Sequence, residues 1–193
     1  LLRPTATMET IAHAWTEEEL RALPKDGGKR ELINGEIVIS PAGYHHERIV
    51  ALLLAAMVTH VTPRRLGTVC GSGLGCWMVS GNVLSPDVSF ISQTRLPELA
   101  AEREKYVRGA PDLVVEVLSP WDRPPRLREK LADYFASGAR LIWVIDPATR
   151  AATAYRTPDD SRRLGAGDAL DGEEVLPGFR LALASLFDEA AEG

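Results

Sequence analysis

The chain of 193 residues is 45% hydrophobic and 25% charged, enough to bury a sizeable core in one globular domain. Its net charge of -5 argues against a protein that coats nucleic acid through a broad basic surface, while leaving room for a local basic groove. No apolar run approaches the roughly 18–20 residues that cross a bilayer, Leu1 to Thr10 lacks the layout of a signal peptide, and Cys70 and Cys76 are too few for a disulfide framework, so a cytoplasmic protein without membrane contact is expected.

Leu1 to His13 shows no periodicity, and residues 1–15 are expected to form a flexible N-terminal arm, with 16–193 as a single domain. Thr16 can cap a short helix, Glu19 completing a capping box, and that helix should end near Pro24. In R-E-L-I-N-G-E-I-V-I-S (Arg30 to Ser40) the Asn34-Gly35 pair between two apolar runs predicts a β-hairpin. Glu31 and Glu36 flank its turn and are expected to face solvent, although a strand carboxylate such as Glu31 could serve as an auxiliary to a metal site.

Ile49, Leu52, Leu53, Ala56, Met57 and His60 recur at three and four residues, an amphipathic helix over Tyr44 to His60 halted by Pro63. His45 and His46 open it. Adjacent histidines on a helix diverge and no HExxH follows, so they make a poor metal pair; His46 alone is retained as an auxiliary that could point into a site at the helix start. Glycine-broken runs between Gly67 and Ser92 predict an antiparallel meander. Within it G-S-G-L-G looks like a phosphate loop, but no Gly-Lys pair and no helix follow, and turn glycines explain it better. Pro86 sets Asp87 at the entrance of the last of these strands. Gln93 to Ala110 is a polar surface excursion.

P-D-L-V-V-E-V-L-S (Pro111 to Ser119) then reads as a strand buried on both faces. Glu116 stands in the middle of it. Strand alternation puts Val114, Glu116 and Leu118 on one face, where an uncompensated carboxylate would cost several kcal/mol and so requires a partner. After Ser119-Pro120, Asp122 can cap a helix that Gly138 closes, with Leu127, Leu131, Tyr134 and Phe135 as its buried stripe and Lys130 at the stripe's edge, able to reach inward. L-I-W-V-I (Leu141 to Ile145) is a second fully buried strand, so the unit reads strand, helix, strand with a right-handed crossover. Ala151 to Arg156 adds an edge strand, Thr157 to Gly172 a polar loop, and a short strand pair about Pro177-Gly178 precedes a final helix.

Of 22 basic residues 18 are Arg, so each of Lys25, Lys29, Lys105 and Lys130 stands out. Asp87 at a strand entrance, Glu116 on an adjacent strand and Lys130 on the next helix make a candidate catalytic set for one hard divalent cation. Asp87 and Glu116 would be the metal ligands, because Mg²⁺ or Mn²⁺ takes one or two carboxylates and otherwise relies on water and substrate phosphate. Lys130 would orient a nucleophile or stabilise developing charge.

P-D-V (Pro86 to Val88), V-V-E-V-L-S-P (Val114 to Pro120), E-K-L-A-D-Y (Glu129 to Tyr134) and L-I-W-V-I-D-P (Leu141 to Pro147), with E-L-I-N-G-E and H-H-E-R-I upstream, resemble the Uma2 family, restriction-endonuclease-like proteins of the PD-(D/E)XK superfamily, over about Thr16 to Phe187. The resemblance implies an α/β (α+β) restriction-endonuclease-like core: a mixed central sheet flanked by helices, with an N-terminal hairpin and added edge strands. It also implies that Asp87 and Glu116 bind Mg²⁺ and that a lysine assists phosphodiester hydrolysis; the preferred reading is a Mg²⁺-dependent DNA endonuclease, homodimeric so that two sites can face two strands. Leu118 stands where the superfamily pattern has its lysine, and Lys130 is the migrated substitute. Pro111-Asp112, a second P-D, lies on Glu116's own strand and is the poorer ligand. Two alternatives stand beside this reading: a non-catalytic nucleic-acid-binding or regulatory protein that keeps the fold, and a buried ion pair of Glu116 with Arg123 or Arg126.

Overall fold

The computed structural model describes residues 14–23, 29–40, 43–99, 106–120 and 122–191. Apart from Ala14 and Trp15, the expected N-terminal arm lies outside the described residues. Thr16 opens α1 (Glu17–Ala22) through the expected capping box, the Thr16 N–H donating to the Glu19 carboxylate at 2.9 Å and the Glu19 N–H to the Thr16 hydroxyl. Asn34 and Gly35, at φ 51° and 80°, turn the chain between β1 (Lys29–Ile33) and β2 (Glu36–Ser40), the two positive values a tight hairpin turn requires. The next helix, α2 (Tyr44–Arg64), runs past its expected end. Pro63 falls within its last turn, where a proline forfeits one donor without ejecting the chain, and Arg65 closes the helix in the left-handed region at φ 54°.

There follow β3 (Gly67–Gly71), β4 (Cys76–Trp77), β5 (Val83–Leu84), β6 (Val88–Ser92), α3 (Leu96–Leu99), β7 (Val107–Arg108) and β8 (Leu113–Val117). The chain ends through α4 (Pro124–Ala136), β9 (Leu141–Asp146), β10 (Ala151–Tyr155), β11 (Ser161–Leu164), β12 (Ala169–Asp171), β13 (Arg180–Ala182) and α5 (Leu183–Ala191).

The main sheet is mixed, with strand order β11-β10-β9-β8-β6-β3. Its parallel pair, β8 and β9, is joined through α4 and sets Glu116 opposite Val144, while β6 pairs antiparallel with β8. A second sheet has the order β2-β1-β5-β4-β7. The expected meander is therefore divided: β3 and β6 pair with each other in the main sheet, and β4 and β5 leave it for the second. Glycine permits the change, since Gly75 lies flat on the Tyr106 ring, where a β-carbon would fall 2.2 Å from Cδ1. Nor is β10 an edge. The stretch read as a polar loop supplies β11 outside it, and Ser161, Arg162 and Arg163 hid that strand because an edge carries exposed charge rather than apolar alternation.

The main sheet is covered on both sides. Leu113, Val115 and Val117 of β8, with Trp143 and Ile145 of β9, pack toward α2 and α5, whereas Val114, Ile142 and Val144 pack toward α4 and the second sheet. All five residues of β8 are buried, as the apolar run predicts. Glu116 faces the layer of α4 and β1, and that layer decides its partners. Among the described residues no helix is long and apolar enough to cross a membrane.

Candidate active site

Register brings the two acids together. Val88 pairs with Val115 in the antiparallel β6–β8 ladder; one residue further, Asp87 falls opposite Glu116, so both side chains emerge on one face as close cross-strand neighbours. Both are buried, as is Glu31. Alternation along β1 points Lys29 and Glu31 at that same face, and one turn separates Lys130 from Tyr134 on α4, so both reach it from above.

The result is a row of alternating charge. Lys130 Nζ lies 3.1 and 3.2 Å from the Glu31 oxygens and 2.9 Å from Glu116 Oε1. Lys29 Nζ lies 3.7 Å from Glu116 Oε2 and 2.8 Å from Asp87 Oδ1, and His46 Nε2 is 3.3 Å from Asp87 Oδ2. Neutral donors complete the frame: the Tyr134 hydroxyl donates to Glu116 Oε1 at 2.7 Å, the Val117 N–H to Asp87 Oδ2 at 2.8 Å and the Ser85 N–H to Glu31 Oε1 at 2.9 Å. Each central carboxylate thus has one oxygen tied to the scaffold. The other, Asp87 Oδ1 or Glu116 Oε2, faces a shared cation.

The electrostatics follow from burial and this order of charges. Burial alone would raise Asp87, but the His46 hydrogen bond, the Lys29 charge and the Val117 N–H outweigh it and hold its carboxyl well below the usual range. Burial dominates at Glu116 and pushes its carboxyl up against the pull of Lys130 and Lys29. Burial opposes the charge on Lys130, yet the Glu116 and Glu31 carboxylates prevail and keep its ammonium protonated above the ordinary lysine value. Lys29 is raised in the same way, against burial, chiefly by Glu116. Tyr134, buried beside Glu116 and Glu31, is raised well above the phenol value and stays a donor.

His46 loses from burial and gains more from its hydrogen bond and ion pair with Asp87, so it titrates above its ordinary 6.5, with Glu47 assisting and Lys29 opposing. A raised histidine stabilises the fold fully below its unfolded pKa and loses that contribution as pH climbs through the folded one. The stability advantage of wild type over His46→Gln should therefore be largest at and below about pH 6.5, where Asp87 is still ionised, and shrink as pH rises through the raised folded-state pKa. Denaturant titrations at several pH values measure it; a constant difference would remove His46⁺–Asp87⁻ pairing from the account.

All five residues singled out from the sequence, Asp87, Glu116, Lys130, Glu31 and His46, lie in this one cluster. Glu31 corrects the expectation of a solvent-facing carboxylate: α4 covers that face of β1, and Lys130 reaches down to it. Glu116 pairs with lysines and a tyrosine, while Arg126 pairs with Glu36 at 3.7 Å. Asp122 accepts from the Ser119 N–H and hydroxyl, and Arg123 stands at the N-cap of α4. Sequence reasoning marked Lys29 only as one of four rare lysines, with no role in the site, and took Tyr134 only as core. Their signals were Lys29's rarity as a lysine with its place two residues before Glu31, and Tyr134's place one turn after Lys130.

Two hard carboxylate oxygens converging on one cation are a donor set suited to Mg²⁺ or Mn²⁺. Among the described residues no group of three His, Cys, Asp or Glu side chains forms a metal cage. A family model described as "Putative restriction endonuclease", Uma2, matches residues 17–184. The chain belongs to the Uma2 family. A crystal structure from Anabaena variabilis, described as a putative nuclease belonging to DUF820, shares its fold: the TM-score is 0.76 at 22% identity, over 91% of this chain and 98% of that one. No curated protein matches the chain. Uma2 membership supports a nuclease and hence a nucleic-acid substrate.

The second P-D of this Uma2 chain has a structural setting. Asp112 is fully buried, accepts from the Ser92 N–H at 2.9 Å and lies 3.3 Å from Arg95, at the opposite end of β8 from Glu116. Beside the charged cluster opens a cavity of about 740 Å³ between the starts of α2 and α4, the ends of β8 and β9, and α5. Among the described residues His46 alone belongs to both the cavity wall and the cluster, and Leu118, two residues after Glu116, lines the same wall.

Proposed function

We propose that this protein is a metal-dependent endonuclease that hydrolyses phosphodiester bonds in DNA, with Asp87 and Glu116 holding Mg²⁺ or Mn²⁺. The observation that carries this reading is the pair of inward oxygens, Asp87 Oδ1 and Glu116 Oε2, each presented by a carboxylate whose other oxygen is fixed. A ligand pair oriented in advance by backbone and hydroxyl donors needs little reorganisation when a cation arrives. When bound, the divalent ion would supply Lewis-acid polarisation of the phosphoryl oxygens and neutralise the charge that builds on them.

The chain's own residues divide the remaining work. Lys130 and Tyr134 hold Glu116 Oε1 and so aim Oε2; Glu31 anchors Lys130 and keeps its ammonium charged. His46, on the wall of the adjoining cavity, fixes Asp87 Oδ2 and helps to keep that acid ionised. A homodimer is the working unit in this reading, since two copies would set one site against each strand of a duplex.

The test is cleavage of supercoiled plasmid and single-stranded DNA by the purified protein with Mg²⁺, with Mn²⁺ or with EDTA. Nicking with either metal and none in EDTA is expected. Cleavage that persists in EDTA, or none under any condition from a folded protein, overturns the reading in favour of a non-catalytic member of the fold.

A further inference from the structure

Between the two acids lies a cation that the chain itself supplies. Lys29 Nζ is 2.8 Å from Asp87 Oδ1 and 3.7 Å from Glu116 Oε2, the two oxygens assigned above to the metal, whereas Lys130 sits on the opposite oxygen of Glu116. The two lysines differ in what they would keep. A divalent ion taking Asp87 Oδ1 and Glu116 Oε2 would leave Lys130 its contacts to Glu31 and to Glu116 Oε1. From Lys29 it would take both carboxylate oxygens. An ammonium and a divalent ion cannot share that space, because like charges in a poorly hydrated site repel strongly.

Lys29 is also placed to leave. It is the first residue of β1, and its side chain is still 15% exposed at the mouth of the cluster. The flexible four-carbon stem of a lysine allows its ammonium to swing while the backbone stays in the sheet.

We propose, building on the metal-dependent reading above, that Lys29 is the resident counter-ion of the metal site. Its ammonium holds Asp87 and Glu116 together, a divalent cation binds by displacing it, and the displaced ammonium turns outward to meet the anionic substrate phosphate. Metal binding is then a cation exchange. The two carboxylates, which would otherwise repel each other, stay in register throughout. Because DNA gives the released ammonium a new anionic partner, metal and DNA reinforce each other's binding.

Two measurements test the exchange. In the first, Mn²⁺ is titrated into wild type and Lys29→Met while the free ion is followed by its electron paramagnetic resonance signal; the variant should bind about tenfold more tightly or better, having no ammonium to displace. Equal or weaker binding by a folded variant overturns the proposal. The second uses wild type alone: a pulse of acetic anhydride with and without saturating Mn²⁺, read residue by residue by peptide mass spectrometry. Acetylation of Lys29 should rise several-fold with the metal while Lys130 stays protected; a Lys29 yield that is unchanged or lowered overturns the proposal even where Lys29→Met fails to fold. If neither protein binds Mn²⁺, the metal-dependent reading itself fails, an outcome distinct from equal binding by both.

Discussion

Replacing Lys130 with Met should lower the unfolding free energy by about 3–5 kcal/mol, the usual result of removing one partner from a buried ion pair. Met fills the volume of the lysine stem, so packing is nearly conserved and the loss is electrostatic. Lys130 is flanked by Glu31 and Glu116, and both acids stay buried when it goes. Glu31 would be left with the Ser85 N–H, and Glu116 with Tyr134 and the longer contact to Lys29. Urea titration at neutral pH measures the change, and adding Glu31→Gln should restore part of it by removing one of the stranded charges. A loss below about 1 kcal/mol, the range of an exposed pair, would mean that water reaches the cluster.

Glu116→Gln should behave in the opposite way. Its cleavage rate with Mg²⁺ should fall by at least about a hundredfold, the order found when a group that stabilises transition-state charge is lost, while its stability stays within about 1 kcal/mol of wild type. The side-chain amide keeps the shape and can still accept from Tyr134. Lys130 retains Glu31 and Lys29 retains Asp87, so neither lysine is stranded. The carboxylate being removed is also one that burial already penalises. Cleavage assays beside thermal melts check both halves: a variant that cuts as fast as wild type removes Glu116 from the metal site, and one that is inactive because it is unfolded shows that the cluster is structural.

The contrast between these two substitutions follows from chain order in space rather than in sequence. Glu116 was conspicuous because its neighbours in the run are apolar, a local signal that survives without a structure. Asp87 was visible because a proline and a strand onset frame it. Lys130 could be placed by its spacing along an amphipathic helix. Lys29, by contrast, meets Asp87 across 58 residues of sequence, and nothing local to β1 says which layer covers it. Glu31 looked solvent-facing for the same reason: alternation tells which residues of a strand share a face, not which face is buried. The division of the 67–92 meander between two sheets was equally hidden, since short runs broken by glycine are compatible with either.

By itself the sequence determined the hairpin at Asn34-Gly35, the capped first helix and the buried strand pair joined by a helix, and it marked Asp87 and Glu116 as the acids that stand out. These rest on short-range propensity, periodicity and the cost of burying a carboxylate, all of which act within a few residues. Only the tertiary structure decided that Lys29, Glu31, Lys130 and Tyr134 close around those acids in alternating charge, because ion pairing and desolvation depend on distances that β1, β6, β8 and α4 set by packing together.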